Sequence, residues 1–287
     1  MASLQRIWIV GRSGRLGSAL EGILSRQSGV KIFSTDIDDL DLRNLSAVEH
    51  YADRSRPHII VNCAAKADRA WCQANPDESF KLHALGARNL AIASEQVGAH
   101  LIHLSSDFVF DGLSHVPYRE FDAVSPQTVY GATKLAGEQM VKEHARHATI
   151  IRSSWLYGKK TLHEFLTQAA GEGKVTISHP IVGSPTSSLE LAEAVIPFFT
   201  TREFGTFHMS SEGECTLEEF IRELLTLVGK DVPIETIDEA GIFELMRPPY
   251  SVLDNYMLRM TGHEPMADWK EGLARFVRER QVGKGIL

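Results

Sequence analysis

Short apolar runs recur through the first half of the chain, and each is followed by a stretch with helical spacing. Residues 6–10, 30–35, 58–65, 100–104 and 149–152 read as strands, too continuously apolar to have a solvent-facing side. The stretch after Gly17 through Leu24, and residues 45–55, 76–96 and 130–143, carry apolar positions at intervals of three and four and read as helices, the third opened by Pro76. Strand–helix alternation of this kind predicts an α/β fold, a doubly wound parallel sheet of Rossmann type.

The pattern changes near residue 157. Helices are expected over 162–170, 189–199, 216–228 and 269–280, short strands at 175–177 and 205–209, and turns at 183–187 and 247–254. Thr216 with Glu219 three residues on has capping-box spacing. We therefore expect a dinucleotide-binding domain over 1–157, with a return segment near 187–209. Residues 158–287 should form most of a smaller, interleaved α/β substrate-binding domain.

Composition adds only bounds. The 287 residues suffice for one large or two unequal domains, and the net charge of −7 argues against non-specific nucleic-acid binding. Cys63, Cys72 and Cys215 lack metal-ligand spacing and fit reduced thiols in a cytoplasmic protein. No apolar run has signal-peptide or membrane-span character, so no membrane partner is expected.

Candidate chemistry lies at the ends of the predicted strands. Gly11, Gly14 and Gly17 fall as G-x-x-G-x-x-G between the first strand and the first helix. Glycines there allow a tight turn, let backbone approach a pyrophosphate, and present helix N–H groups to its oxygens. Asp36 closes the second strand, placed to accept from the adenosine ribose hydroxyls and favouring NADH. Arg12 in the turn would suit the 2′-phosphate of NADPH, so both cofactors stay open. The third strand runs into Cys63, Ala64 and Ala65, small side chains that leave room for a flat ligand. The fourth ends in Ser105 and Ser106, whose hydroxyls could meet a substrate carbonyl. No histidine base or nucleophile elbow accompanies them, which argues against a serine hydrolase.

Tyr130 and Lys134 stand four apart on the predicted helix and so share a face. An ammonium beside a phenol lowers its pKa and makes it a usable proton donor or acceptor near neutral pH. Trp155 after the fifth strand is placed either to pack on a sugar or base or to fill the core. Arg247, in a Pro-rich turn, suits phosphate.

In order, these motifs resemble the extended short-chain dehydrogenase/reductases, and among them the dTDP-4-dehydrorhamnose reductase family. The resemblance spans nearly the whole chain. It rests on residues 11–17, 61–65, 105–112 and 130–138, then on 155–158, 183–186, Arg247-Pro248 and Ser251. It implies hydride transfer from NADH or NADPH to the C4 keto carbon of a nucleotide-diphosphate-linked 6-deoxysugar. Tyr130 would protonate the developing alkoxide. Lys134 would bind the nicotinamide ribose and depress the Tyr130 pKa, and Ser106 would be the third catalytic hydroxyl.

The same resemblance would have Gly11, Arg12, Ser13, Gly14, Arg15 and Leu16 line the pyrophosphate and Asp41 and Leu42 approach the adenine. Ala64, Ala65 and Lys66, with Cys63 and Ser105 beside them, would meet the rest of the cofactor. Ser106, Asp107, Phe108, Trp155 and Arg247 would face the substrate. Phe108 replaces the family's usual tyrosine, Ala70 and Gln73 replace an expected Asp and Glu, and His83 replaces an asparagine. The carboxylates of a dimer-contact metal seen in some relatives are not located, so no metal is expected, and a homodimer stays open. Two other functions share the fold: a non-catalytic subunit like the methionine adenosyltransferase regulatory subunit, and a nucleotide-sugar epimerase, which would return the hydride.

Overall fold

The computed structural model describes residues 4–178, 181–201, 203–237 and 247–282. In the first half the elements are β1 (Gln5–Val10), α1 (Arg15–Leu24), β2 (Val30–Thr35), α2 (Leu45–Ser55), β3 (Ile59–Asn62), α3 (Arg69–Ala74) and α4 (Pro76–Phe80). A π-helical turn (Lys81–Leu85) then leads to α5 (Gly86–Val97), β4 (His100–Ser106), a 3₁₀ turn (Asp107–Val109), α6 (Val129–His144) and β5 (Ala148–Ser153).

The second half carries β6 (Leu156–Tyr157), α7 (Lys159–Glu172), β7 (Val175–Ser178), β8 (Val182–Gly183), β9 (Thr186–Ser187), α8 (Ser188–Val195), β10 (Gly205–His208) and β11 (Cys215–Thr216). After these come α9 (Leu217–Leu227), β12 (Ile234–Ile237), β13 (Tyr250–Ser251), α10 (Tyr256–Met260) and α11 (Trp269–Glu279).

The main sheet has six strands in the order β10-β5-β4-β3-β1-β2, every pair parallel. It is buried on both faces, which is why its strands read as continuous apolar runs. The strand period of two divides β1 between two cores. Ile7 and Ile9 pack with Leu16 and Leu20 of α1 and with Leu191 and Val195 of α8, whereas Trp8 and Val10 pack with Val48 of α2 and Leu90 of α5. The segment 188–209 thus returns to the main sheet and supplies its outermost strand. A separate cluster joins Leu162, Leu166, Phe220, Leu224, Leu273 and Phe276 from α7, α9 and α11. Small sheets, β11-β8-β13, β12-β7 and β6-β9, link these second-half elements.

One expectation needs correction. The strand expected over 58–65 ends at Asn62, because Asn62 Oδ1 accepts the Ala64 N–H (3.1 Å) and turns the chain out of the sheet. The helix expected over 76–96 is present from Pro76 to Val97, with one π-helical turn inside it where the Gly86 N–H reaches back five residues to the Lys81 carbonyl. The short helix α3 was not anticipated. It buries only Cys72, too little to leave a periodic apolar signal. No described helix is long and apolar enough to cross a membrane.

Candidate active site

Strand order reverses between β1 and its neighbours β2 and β3, and the loops that leave β1 and β3 meet there. Gly11 has φ +82°, and a Cβ on it would lie 2.8 Å from the Ala64 backbone. A Cβ on Gly17 would lie 2.2 Å from the Gly11 carbonyl oxygen, so α1 can approach the turn only through glycine. Gly14 caps α1 without a side-chain acceptor, which leaves the first N–H groups of the helix free for an anion.

Asp36 accepts the Ser13 N–H (3.0 Å) and ties β2 to the turn. Burial works against its ionisation, but hydrogen bonds from Ser13 and Ile37 and the charge of Arg12 outweigh it and hold its pKa down. Arg12 itself pairs with Asp39 (3.3 Å). Asp41 is gripped by Arg43, which also reaches Glu78 (2.8 Å). Leu42 is buried, and a Cβ on Gly86 would lie 3.2 Å from its Cβ. These features make a cradle for a dinucleotide: backbone N–H groups at the pyrophosphate position and a carboxylate at the next strand end.

Ser105 and Ser106, adjacent on β4, point to opposite faces. Ser105 turns away from the crevice and donates to Glu138 Oε1 (2.5 Å). Glu138 is fully buried and bound in bidentate fashion by Arg152 (2.9 and 2.7 Å). The placement of Ser105 at cofactor or substrate is therefore corrected: its hydroxyl belongs to a buried ion pair behind the sheet.

Ser106 donates to Asp107 Oδ1 (2.7 Å), and its hydroxyl acts to lower the Tyr130 pKa. The first turn of α6 brings Tyr130 there. Thr128 caps that helix by accepting the Gly131 N–H (3.0 Å), and a Cβ on Gly131 would lie 2.1 Å from the Phe108 carbonyl oxygen. The Tyr130 ring stands edge-on to Phe108 and to His83, with centroids 5.2 and 5.6 Å away.

Tyr130 and Lys134 share a helix face, but the expected lowering of the phenol is corrected. Burial pushes the Tyr130 pKa up to about 12, Asp107 adds to the rise, and Ser106 and Arg69 oppose it. The Lys134 ammonium donates instead to the Leu104 carbonyl. Burial lowers Lys134 itself to about 8, against the pull of Glu138 and Cys63. The Cys63 thiol is pushed up to about 12 by burial, so it carries no thiolate chemistry at neutral pH.

Against Phe108 and Thr128 opens a cavity of about 1020 Å³. Phe108, Trp155 and Phe220 give it apolar walls, and Arg15, Arg69 and Arg247 give it positive charge. Trp155 adopts φ +43° and donates its Nε1–H to Ser251 Oγ (3.0 Å). Gly183 makes room for that indole, since a Cβ would fall 2.3 Å from Nε1. The Arg247 guanidinium lies over Trp155 (5.4 Å) and Phe108 (5.8 Å), and among the described residues it pairs with Asp107 at 3.9 Å.

Arg69 was missed at the sequence level. Its guanidinium lies over Phe108 (5.5 Å), and its buried Nε has no partner among the described residues. Nothing in its local pattern marks it, because α3 carries so little periodicity.

The model of the family described as "RmlD substrate binding domain" matches residues 5–282. The chain is 31% identical over 282 residues to the spore coat polysaccharide biosynthesis protein SpsK of Bacillus subtilis, covering 96% of this chain and 98% of that one. It is 33% identical over 278 residues to a dTDP-4-keto-6-deoxy-D-glucose reductase of Streptomyces niveus, covering 93% and 95%. The crystal structure of a dTDP-4-dehydrorhamnose reductase from Bacillus anthracis in complex with NADP superposes with a TM-score of 0.89. Its identity is 34%, covering 96% of this chain and 99% of that one.

Proposed function

The chain belongs to the RmlD family of dTDP-4-dehydrorhamnose reductases, and from that premise we propose that Tyr130, Ser106 and Lys134 reduce the C4 ketone of a nucleotide-linked 6-deoxysugar. It is an NAD(P)-dependent oxidoreductase. With its pyrophosphate held by the glycine turn and the N-terminus of α1, NAD(P)H would supply the hydride.

One observation supports the residue roles above all others. The Tyr130 phenol lies under the influence of the Asp107 carboxylate, which accepts the Ser106 hydroxyl, and its ring stands edge-on to Phe108, a wall of the cavity. A ketone oxygen placed against Tyr130 would be polarised by its O–H, and by Ser106 once that hydroxyl turns from Asp107 Oδ1. A phenol held near 12 stays protonated at neutral pH, as a donor must, and a secondary alkoxide is basic enough to take that proton. The phenolate left behind is stabilised by Ser106 and by the positive field of Arg69. Lys134 would leave the Leu104 carbonyl to meet ribose hydroxyls of the cofactor. Asp36 would receive the adenosine ribose.

Arg69 and Arg247, each short of a close counter-charge among the described residues, would take the diphosphate of the substrate, with Phe108 and Trp155 packing beside it. Three free thiols fit a reducing, cytoplasmic setting.

The test is oxidation of NADH and of NADPH with a dTDP-4-keto-6-deoxyhexose, comparing wild type with Tyr130→Phe. Removing a positioned proton donor should lower kcat by about 10²- to 10⁴-fold. Equal rates in the two proteins would overturn the assignment of Tyr130.

A further inference from the structure

The reading above leaves the buried histidines unused, His83 and His103 among them. His83 and His103 are 2% and 1% exposed and lie behind the loop that leaves β3. His83 belongs to the π-helical turn (Lys81–Leu85), a distortion that re-aims side chains and recurs at functional sites. Its Nε2 accepts the Lys66 N–H at 3.1 Å. A ring nitrogen that accepts carries no proton, so the neutral ring holds its proton on Nδ1. That Nδ1–H donates to Thr133 Oγ1 (2.8 Å), and Thr133 donates in turn to the Tyr130 carbonyl (3.0 Å). The chain of bonds runs without a break from the loop to the first turn of the catalytic helix.

His103 is fixed in the opposite sense. Asn62 Oδ1 accepts the Ala64 N–H at 3.1 Å, which leaves Asn62 Nδ2 as the donor to His103 Nδ1 (3.0 Å). The His103 proton therefore sits on Nε2. Burial, followed by the nearby Lys134 ammonium, keeps both rings uncharged; His83 falls to about 3 and His103 well below its ordinary value. The contact is tight, since a Cβ on Gly137 would lie 2.5 Å from the His83 carbonyl oxygen.

We propose that His83 and His103 are positioning residues. They suspend the loop Cys63–Lys66 from two neutral imidazoles of opposite tautomer, and His83 couples that loop to the turn that carries Tyr130. The cofactor side and the proton-donor side of the site then move as one body. The kinetic consequence rests on the reductase reading; the tautomers do not.

The first test is long-range ¹H–¹⁵N correlation on the whole labelled chain. His83 should appear as the Nδ1–H form and His103 as the Nε2–H form, both unchanged between about pH 6 and 8. Matching tautomers, or protonation of either ring in that range, would overturn the proposal. The second test uses His83→Phe, which keeps a ring against Tyr130 and removes both bonds, with Thr133→Val and the double variant. In His83→Phe, KM for NAD(P)H should rise and kcat should fall, each by about tenfold. The double variant should be no worse than His83→Phe, because both cut one chain, and His83→Gln should recover part of the loss. A lower Tm with KM and kcat unchanged would show a merely structural role and also overturn the proposal. A wild type with no turnover on any keto-sugar would remove the reductase reading and leave the tautomer test standing.

Discussion

Lys134 is expected to weaken the fold it serves, and replacing it with methionine measures by how much. Its side chain is buried at 3% exposure, with an ammonium that has only the Leu104 carbonyl as a direct partner among the described residues. The fall of its pKa from 10.5 to about 8 corresponds to about 3 kcal/mol against the charged form. Methionine matches the length of lysine and carries no charge. It leaves the Leu104 carbonyl without this donor, at a cost of about 1–2 kcal/mol. Lys134→Met should therefore be more stable than wild type by about 1–2 kcal/mol at pH 7, while losing turnover.

The pH dependence supplies the sign check. Between about pH 8 and 10.5 the unfolded chain keeps the lysine proton and the folded protein has lost it, so the wild type gains stability as pH rises through that window. The variant has no such gain, and its advantage should disappear by about pH 10. Urea unfolding of both proteins at the two pH values gives the double difference, in which the titration of all other groups cancels. A variant less stable than wild type at pH 7, or a difference that does not change with pH, would refute the reasoning. The ammonium would then be well solvated or well paired in the folded state.

Two further substitutions test the frame around the site. Glu138→Gln strands Arg152 as a buried charge and should lower stability by about 3–5 kcal/mol, read from urea midpoints at pH 7. Gly131→Ala forces a Cβ to within 2.1 Å of the Phe108 carbonyl oxygen, so α6 and the Asp107–Val109 turn must separate. Its kcat/KM should fall by about 10²-fold with the protein still folded, since small displacements of reacting groups carry large rate penalties.

Much of this site was legible in the sequence because its parts sit at places that local rules mark. The glycine turn announces itself between a strand and a helix, and Gly11 and Gly17 are required there by contacts of 2.8 and 2.2 Å. Tyr130 and Lys134 share a face because the helix period places them so, and Thr216 with Glu219 forms the capping box its spacing implies. What stayed hidden was set by tertiary partners. Arg69 lies on a six-residue helix with one buried position, so no period reveals it. The direction of the Tyr130 shift depends on burial and on Asp107 and Arg69, which local spacing does not report. The π-helical turn has no sequence signal of its own; it follows from placing His83 against Thr133 and Lys66 at once.

Ser105 and Ser106 show why the division falls where it does. As neighbours in sequence they are chemically identical, and both are buried at a strand end. The strand period alone requires that they face opposite ways, and it does not say which way. Glu138 settles the matter, because a buried carboxylate bound to Arg152 accepts the hydroxyl that faces it and fixes the strand's rotation. Glu138 lies on α6 two turns beyond Tyr130, and Arg152 lies on β5 directly across from Ser105. One ion pair therefore sets the relation of three elements, β4, β5 and α6, behind the sheet. The geometry it leaves in front is Ser106 opposite Tyr130, the pair on which proton transfer depends.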